Sequence, residues 1–327
     1  MIDSRPPYPI LTGLGAQRLT KGAWRIAVAG AGGWMGLAAL EELHGLLGDR
    51  FHGRVVAFGS NRRRLSLRGG LVVEQQPLSE LGRLAPAPTL VLHLAFLTQE
   101  KAGLMPRGDY IAVNRAISDQ VFEALDPIGA EGVFVASSGA VELAKRPGAN
   151  PNKALYGALK LEDEARFSAW ANERGKRTVI ARIFGLAGPY INKLDSYALA
   201  CFIADVLAGR PITIEAAGPV FRSYVAVDEL MSVAFGLLTD GTVGASLFDT
   251  AGKRGYEMGE IAEGVALAMG HARGILRPPM TSVETNRYVG DGTLYESLRH
   301  DLGVEEVGFR RQVRETGKFM AEISPAV

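Results

Sequence analysis

Apolar and polar positions along the chain follow two periods in turn. Short apolar runs rich in β-branched residues at 26–29, 54–58, 89–93, 132–136 and 178–183 read as buried strands. Between and after them, residues 37–47, 99–125 and 154–174 carry helical patterns, the last stopping at Gly175. Strands and helices alternating in this way predict an α/β fold: a doubly wound parallel sheet with right-handed crossovers and helices on both faces. After Phe184 the pattern loosens into short helices at 197–207 and 258–269 separated by turn-rich pieces, which predicts a smaller C-terminal domain. Residues 225–238 read as a return to the main fold. The Pro- and Gly-rich residues 1–24 precede the first strand. Packing over the core, reaching a neighbouring subunit and forming a disordered tail all stay open for them. There is no internal repeat or low-complexity tract.

The most informative stretch joins the first strand to the first helix. There the chain reads Gly30-x-x-Gly33-x-x-Gly36, with Trp34 and Met35 inside the turn. Glycines at such a turn let the backbone approach a pyrophosphate, and the helix N-terminus offers unpaired N–H groups to the anion. A strand before and a helix after make this a dinucleotide site of the Rossmann type. The alternative is a tight strand–helix turn with nothing bound.

A second feature lies further along. Tyr156 and Lys160 stand four residues apart in a helical stretch and so share one face. An ammonium beside a phenol favours the phenolate, so the Tyr156 pKa is expected to fall from about 10 toward the range of a working acid or base. Upstream, the strand at 132–136 runs into Ser137 and Ser138, either of which could hydrogen-bond a carbonyl or carbinol oxygen.

The carboxylate that usually holds an adenosine ribose ends the second strand. Here that strand meets Gly59-Ser60-Asn61-Arg62-Arg63-Arg64, with no acid and three arginines. A hydroxyl from Ser60 and guanidinium groups from Arg62 and Arg63 suit a 2′-phosphate through charge-assisted hydrogen bonds. NADP(H) is therefore the expected cofactor, with NAD(H) the alternative; a solvated basic loop gives the same composition.

The chain has 327 residues, 47% apolar and 22% charged, enough for a large core. A formal charge of +1 gives no electrostatic case for nucleic acid. The one cysteine, Cys201, excludes internal disulfides, and no segment reads as a membrane helix or a signal peptide, so a cytoplasmic protein is expected. His44, His52, His271 and His300 lack any spacing with Cys or acidic residues that suits zinc, and no metal is expected. Glu162, Asp163 and Glu164 read as a solvated helix face.

In this order the motifs resemble those of an extended short-chain dehydrogenase/reductase of the NAD-dependent epimerase/dehydratase family, whose members act mostly on nucleotide sugars. The resemblance runs from residue 25 to about residue 303 and includes His93-Leu94-Ala95, Tyr110 to Asn114, Arg182 to Pro189 and Phe221 to Asp228. It implies a cofactor-binding domain over 25–184 with 219–250 returning to it, and a substrate domain from 185–218 and 251–327. It also implies Ser138, rather than Ser137, as the catalytic hydroxyl, Tyr156 as acid/base, Lys160 holding the ribose and Asn114 ordering the proton relay. Leu94 and Ala95 line the cofactor, and Arg222 grips a sugar-nucleotide diphosphate. A salt bridge from Arg222 to Asp228 is the structural alternative. Arg287 is a candidate second clamp, and Asn192 a candidate replacement for the family asparagine whose place Gly185 takes. Glu142 stands where the family pattern has tyrosine. Ser138-Gly139-Ala140 lacks the acids of the dehydratases, which leaves ketone reduction or epimerisation. With NADP(H) expected, a ketoreductase acting on a nucleotide-linked keto sugar is the leading expectation, and an NAD-dependent epimerase the alternative. A non-catalytic NADP(H)-sensing protein fits less well, because Tyr156, Lys160 and the serine are all present. The resemblance further implies a homodimer through the helices at 99–125 and 154–174.

Overall fold

The computed structural model describes residues 10–144, 146–252 and 254–323. Helix α1 (Gly13–Lys21) is followed by β1 (Arg25–Ala29), α2 (Trp34–Leu47), the single turn α3 (Phe51–Arg54) and β2 (Val55–Gly59). A hairpin-like pair, β3 (Arg63–Ser66) and β4 (Val72–Pro77), leads to β5 (Thr89–His93), α4 (Arg107–Leu125), β6 (Ala130–Ser138), α5 (Pro151–Arg174) and β7 (Arg177–Ile183). The remainder comprises β8 (Leu186–Ala187), α6 (Ala198–Leu207), β9 (Ile212–Thr213), β10 (Val220–Arg222), β11 (Val225–Ala226), α7 (Val227–Leu238), β12 (Gly244–Thr250), β13 (Tyr256–Glu257), α8 (Met258–Met269), β14 (Ile275–Leu276), β15 (Asn286–Tyr288), α9 (Thr293–Asp301) and α10 (Phe309–Ile323).

Eight strands form one sheet in the order β12-β7-β6-β5-β1-β2-β4-β3, parallel except for the edge strand β3. Strand order therefore reverses between β1 and β5, and the crevice at their carboxyl ends is where such sheets bind ligands. A fully buried apolar layer flanks each face: Leu40, Leu43 and Phe235 lie on one side, Val121, Leu125 and Phe167 on the other. Three further short sheets lie beyond β7, of which β13-β10-β15 matters most for the site. Within the 219–250 segment expected to return to the cofactor-binding domain, β12 joins the main sheet beside β7, while β10 pairs with β13 and β15.

Three differences from the expected elements have local causes. The helical stretch 99–125 is broken into a short 3-10 turn, Gln99–Gly103, and α4, because Pro106 restricts Leu104-Met105 ahead of it and cannot continue a helix through its own nitrogen. Helix α5 starts three residues early, with Pro151 at its first turn and the Asn150 carboxamide oxygen accepting from Asn152 N (3.1 Å) and Lys153 N (3.2 Å). Residues 13–21 form α1, which lies on α7 so closely that a Cβ on Gly15 would be 2.8 Å from the Phe235 carbonyl carbon. The expectation for residues 1–9 lies outside the described residues.

Helix α7 is buried along its whole length and carries Glu229, which accepts from Tyr295 Oη (2.8 Å) and Val307 N (2.6 Å). Burial pushes this carboxyl up from 4.5 to about 7, outweighing the two donated hydrogen bonds. A carboxyl raised in the folded state contributes stability that is complete below its unfolded pKa and lost as pH rises through the folded one. Glu229→Gln can keep one accepted and one donated bond, and should flatten the fall in melting temperature between about pH 5 and about pH 8; circular-dichroism melts measure it.

Candidate active site at the carboxyl ends of the strands

The glycine turn is built by close approach. Gly30 has φ +90°, and a Cβ there would lie 2.6 Å from the Ala95 nitrogen. A Cβ on Gly36 would fall 2.6 Å from the Ala31 carbonyl oxygen and closer still to that of Gly30. Only glycine lets β1 turn into α2 while touching the end of β5. Gly33 has no such crowding and is the N-cap of α2. Leu94 and Ala95 are thus at the turn, and Leu94 N donates to Ala29 O (2.8 Å). The Trp34 ring meets Tyr197 edge-on at 5.8 Å, and its buried indole N–H has no partner among the described residues. Met35 packs into the core beside it. Free helix-end amides, an open glycine face and an orphaned indole N–H fit a dinucleotide phosphate.

At the end of β2 the missing carboxylate is replaced by a residue that sequence reading missed. Gln75, on β4, fills the space in front of Gly59, where a Cβ would meet Gln75 Nε2 at 2.5 Å. Its amide donates to Asn61 O (2.8 Å), while its buried Oε1 has no partner among the described residues. The three arginines separate. Arg62 pairs with Glu80 (3.0 Å) and Arg64 with Glu74 (3.4 Å). Arg63 lies over Gly32 on the glycine turn, and no carboxylate pairs with it among the described residues. Ser60 is exposed, next in the chain after β2. The signal for Gln75 was a cross-strand one, since β4 pairs with β2 through Ala57 and Gln75, and no local motif carries that register.

Ser138, Tyr156 and Lys160 meet because α5 lies directly on the turn after β6: a Cβ on Gly157 would be 2.7 Å from the Ala140 carbonyl carbon. Ser138 Oγ accepts from Ala140 N (3.2 Å) and lies 3.2 Å from Tyr288 Oη. Lys160 is buried, donates to Ala136 O (2.8 Å) and sits 3.7 Å from the Phe96 ring centre. Its ammonium is 6.0 Å from the Tyr156 ring centre. Burial lowers Lys160 from 10.5 to about 8. For Tyr156 the expected direction is reversed: burial raises its pKa well above 10, with Tyr288 and Tyr110 adding to the rise and the hydrogen bond from Ser138 opposing it. The ammonium is committed to a carbonyl and an aromatic face, so desolvation of the phenol wins.

Other expectations change. Asp163 and Glu164 are not solvated: Asp163 accepts from Ser118 and lies 3.6 Å from His93 Nε2, and Glu164 accepts from Ser137 (2.5 Å) and from Arg182 (2.9 and 2.7 Å). Only Glu162 is exposed, paired with Arg115 (2.9 Å). His93, buried against Phe167, is held neutral by desolvation. Asn114 spends its carboxamide on backbone, accepting from Leu97 N (2.8 Å) and donating to Tyr110 O (3.1 Å), which fixes the β5–α4 loop.

Arg222 does not pair with Asp228, which faces Arg311 (3.5 Å) instead. It is half-buried among Tyr197, Tyr224 and Tyr288, and burial lowers its pKa. Its Nη1 donates to Phe221 O (2.8 Å) and to Asn286 Oδ1 (3.1 Å) and O (3.3 Å). Strand register separates the two proposed clamps. Arg222 is opposite Tyr288 and shares its face, while Arg287 is opposite Phe221 on the other face, its guanidinium 5.6 Å from the Phe221 ring centre. Arg287 is thus not beside Arg222, and Tyr288 is the residue that strand β15 delivers to Ser138. Asn192 is exposed in the loop before α6, next to Lys193, which pairs with Glu100 (2.8 Å).

A glycine turn at a sheet switch point, with Ser138, Tyr156 and Lys160 across the crevice from it, defines a nicotinamide-dinucleotide-dependent enzyme of the short-chain dehydrogenase/reductase superfamily. A model of the NAD dependent epimerase/dehydratase family matches residues 26–247, and the chain belongs to that family. Similar solved structures include MoeE5 in complex with UDP-glucose and NAD (21% identity, TM-score 0.68, 91% of this chain and 99% of that one). The UDP-glucose 4-epimerase of Thermus thermophilus in complex with NAD is 22% identical, with TM-score 0.66, 92% of this chain covered and 100% of the other. The UDP-N-acetylglucosamine 4-epimerase of Methanobrevibacter ruminantium, in complex with UDP-N-acetylmuramic acid, is 18% identical, with TM-score 0.70 and coverages of 91% and 98%. No curated protein matches the chain in sequence.

Gly36→Ala must displace backbone, and should weaken dinucleotide binding about tenfold or more, read by calorimetry on cofactor-free protein. Tyr156→Phe should leave that binding within about twofold while lowering turnover by about 10²-fold or more, which separates a lost proton donor from a lost cofactor site.

Proposed function

We propose that the protein is an NAD-dependent epimerase of a nucleotide-diphosphate sugar. The observation that carries the reading is Arg222: a desolvated cation without a carboxylate partner among the described residues, on the strand face that also brings Tyr288 to Ser138. A guanidinium left in that condition suits a diphosphate, and the reacting carbon of the attached sugar then falls toward Tyr156. The UDP-sugar ligands and NAD in the similar structures support the same chemistry.

A dinucleotide held through its phosphates at the glycine turn would supply hydride acceptance and return beside Tyr156. Tyr156 in its phenolate form would take the hydroxyl proton as the carbon is oxidised and give it back on reduction, Ser138 would hydrogen-bond the same oxygen, and Lys160 would keep a positive charge near them. In an epimerase the hydride returns to the opposite face of the carbon, so no net oxidation occurs and the cofactor stays bound. NAD is favoured over NADP because Arg62 and Arg64 already have carboxylate partners and Gln75 Oε1 is a buried acceptor at the ribose end of the site. The second reading, an NADP(H)-dependent ketoreductase, is favoured by Arg63 alone, whose guanidinium lies on the glycine turn. The homodimer through α4 and α5 belongs to the proposal and is read by light scattering.

Denaturing the purified protein and identifying the released nicotinamide tests the cofactor, and incubation with UDP-glucose, UDP-galactose and their N-acetyl forms tests the reaction. Retained NAD with interconversion of a 4-epimer pair supports the epimerase. Exchangeable NADPH, with a preference lost in Arg63→Ala, supports the reductase instead. In either case Arg222→Gln should raise KM for the nucleotide sugar about tenfold or more while leaving nicotinamide binding unchanged.

A further inference from the structure

We propose that Tyr288 is a positioning residue of the reaction centre: its phenol donates to Ser138 and so aims the serine's own proton at Tyr156 and the reacting oxygen. The inference rests on the reading of Ser138, Tyr156 and Lys160 as the site of turnover. It follows from counting donors and acceptors. A serine hydroxyl has two lone pairs and one proton. Ala140 N takes one lone pair of Ser138 Oγ at 3.2 Å. Tyr288 Oη lies 3.2 Å from the same oxygen, with Ile183 O its longer alternative acceptor at 3.5 Å. A single phenolic proton goes to the nearer oxygen, which fills the second lone pair of Ser138. The serine proton is then the only group left to point into the crevice.

Three observations hold the phenol in this donor role. Its ring is fixed against Phe184, with ring centres 4.9 Å apart. Burial raises its pKa, with the Glu142 carboxylate acting in the same direction, while the hydrogen bonds from Ser138 and the Ala140 backbone and the Arg222 cation oppose it. Its strand is tied down from the substrate side, because Arg222 donates to Asn286 two residues earlier. One short strand pair therefore joins the anion clamp to the catalytic serine. The groups facing Tyr156 are Tyr288, Tyr110, Glu100, Ser138 and the more distant Lys160 ammonium. Of these, Ser138 gives its phenolate a hydrogen bond, and that bond exists only while the serine proton points outward.

The test is Tyr288→Phe, which removes one O–H and keeps the ring on Phe184. With UDP-glucose as probe, kcat should fall about tenfold while KM stays within about twofold. Tyr288→Phe in a Ser138→Ala background should cost no further loss of kcat, because the phenol acts only through the serine. A tyrosine that does not act through the serine would lower kcat equally in both backgrounds, and that result, or an unchanged kcat in the single variant, overturns the proposal. If the wild-type protein turns over no UDP-hexose, the substrate reading has failed while the inference about Tyr288 is still readable. Tyrosinate absorbance of the NAD-loaded protein, taken as the difference from Tyr156→Phe, then reports Tyr156 directly. A midpoint shift in Tyr288→Phe that disappears in the Ser138→Ala background supports the role, and no shift, or one that persists there, overturns it.

Discussion

The site depends on backbone contacts at two places, each too close for any Cβ. At the switch point, Gly30 lies against Ala95 and Gly36 against Ala31, which brings the N-terminus of α2 to the mouth of the crevice. Across the crevice, Gly157 of α5 lies on Ala140, which sets the helix carrying Tyr156 and Lys160 over the end of β6. Each contact fixes a helix against a strand end, and the reactive side chains follow from those positions. Backbone placed this way is rigid at the scale that matters to proton transfer, where misplacement by an ångström is costly.

Beneath those contacts runs a row of buried charge. Lys160, Asp163 and Glu164 all lie in the buried part of α5, and the two carboxylates are met by Ser118, His93, Ser137 and Arg182. Unpaired charges at that depth cost several kcal/mol each, so the partners are a condition of the fold. The same row keeps a positive group at the active site: Asp163 and Glu164 hold Lys160 protonated against a desolvation that alone would discharge it further. Phe96 adds an aromatic face over the ammonium, close to the Tyr156 ring it meets edge-on at 5.6 Å. Burial disfavours the phenolate in this setting, and in the proposed reaction the ammonium's charge and a bond from Ser138 would draw its proton off.

Local patterns made much of this legible. The strand at Thr89–His93 and the helix Met258–Met269 are bounded as the apolar periods indicate, and the glycine turn, Ser138, Tyr156 and Lys160 stand on the elements their motifs implied. What the local pattern could not carry was register between distant strands. Gln75 reaches the end of β2 only because β4 pairs there, and Tyr288 rather than Arg287 faces Ser138 only because β15 pairs with β10 at one register and not the next. Charge was misread for a related reason. Asp163 and Glu164 look like part of a solvated face in a sequence, whereas in the fold they meet the sheet and find partners 18–45 residues away in the chain. The arginine run looks like one phosphate site, yet the alternation of a strand sends its members to different places.

The central claim is that the crevice stores a hydride from the substrate carbon and returns it. UDP-glucose carrying deuterium at C4, incubated with the NAD-loaded protein in ordinary water, tests it most directly. Deuterium retained at C4 of the epimeric product, followed by NMR to equilibrium, is the predicted result. Product that has exchanged the label for solvent hydrogen would contradict the account, because it would mean that the carbon is inverted by proton transfer without oxidation.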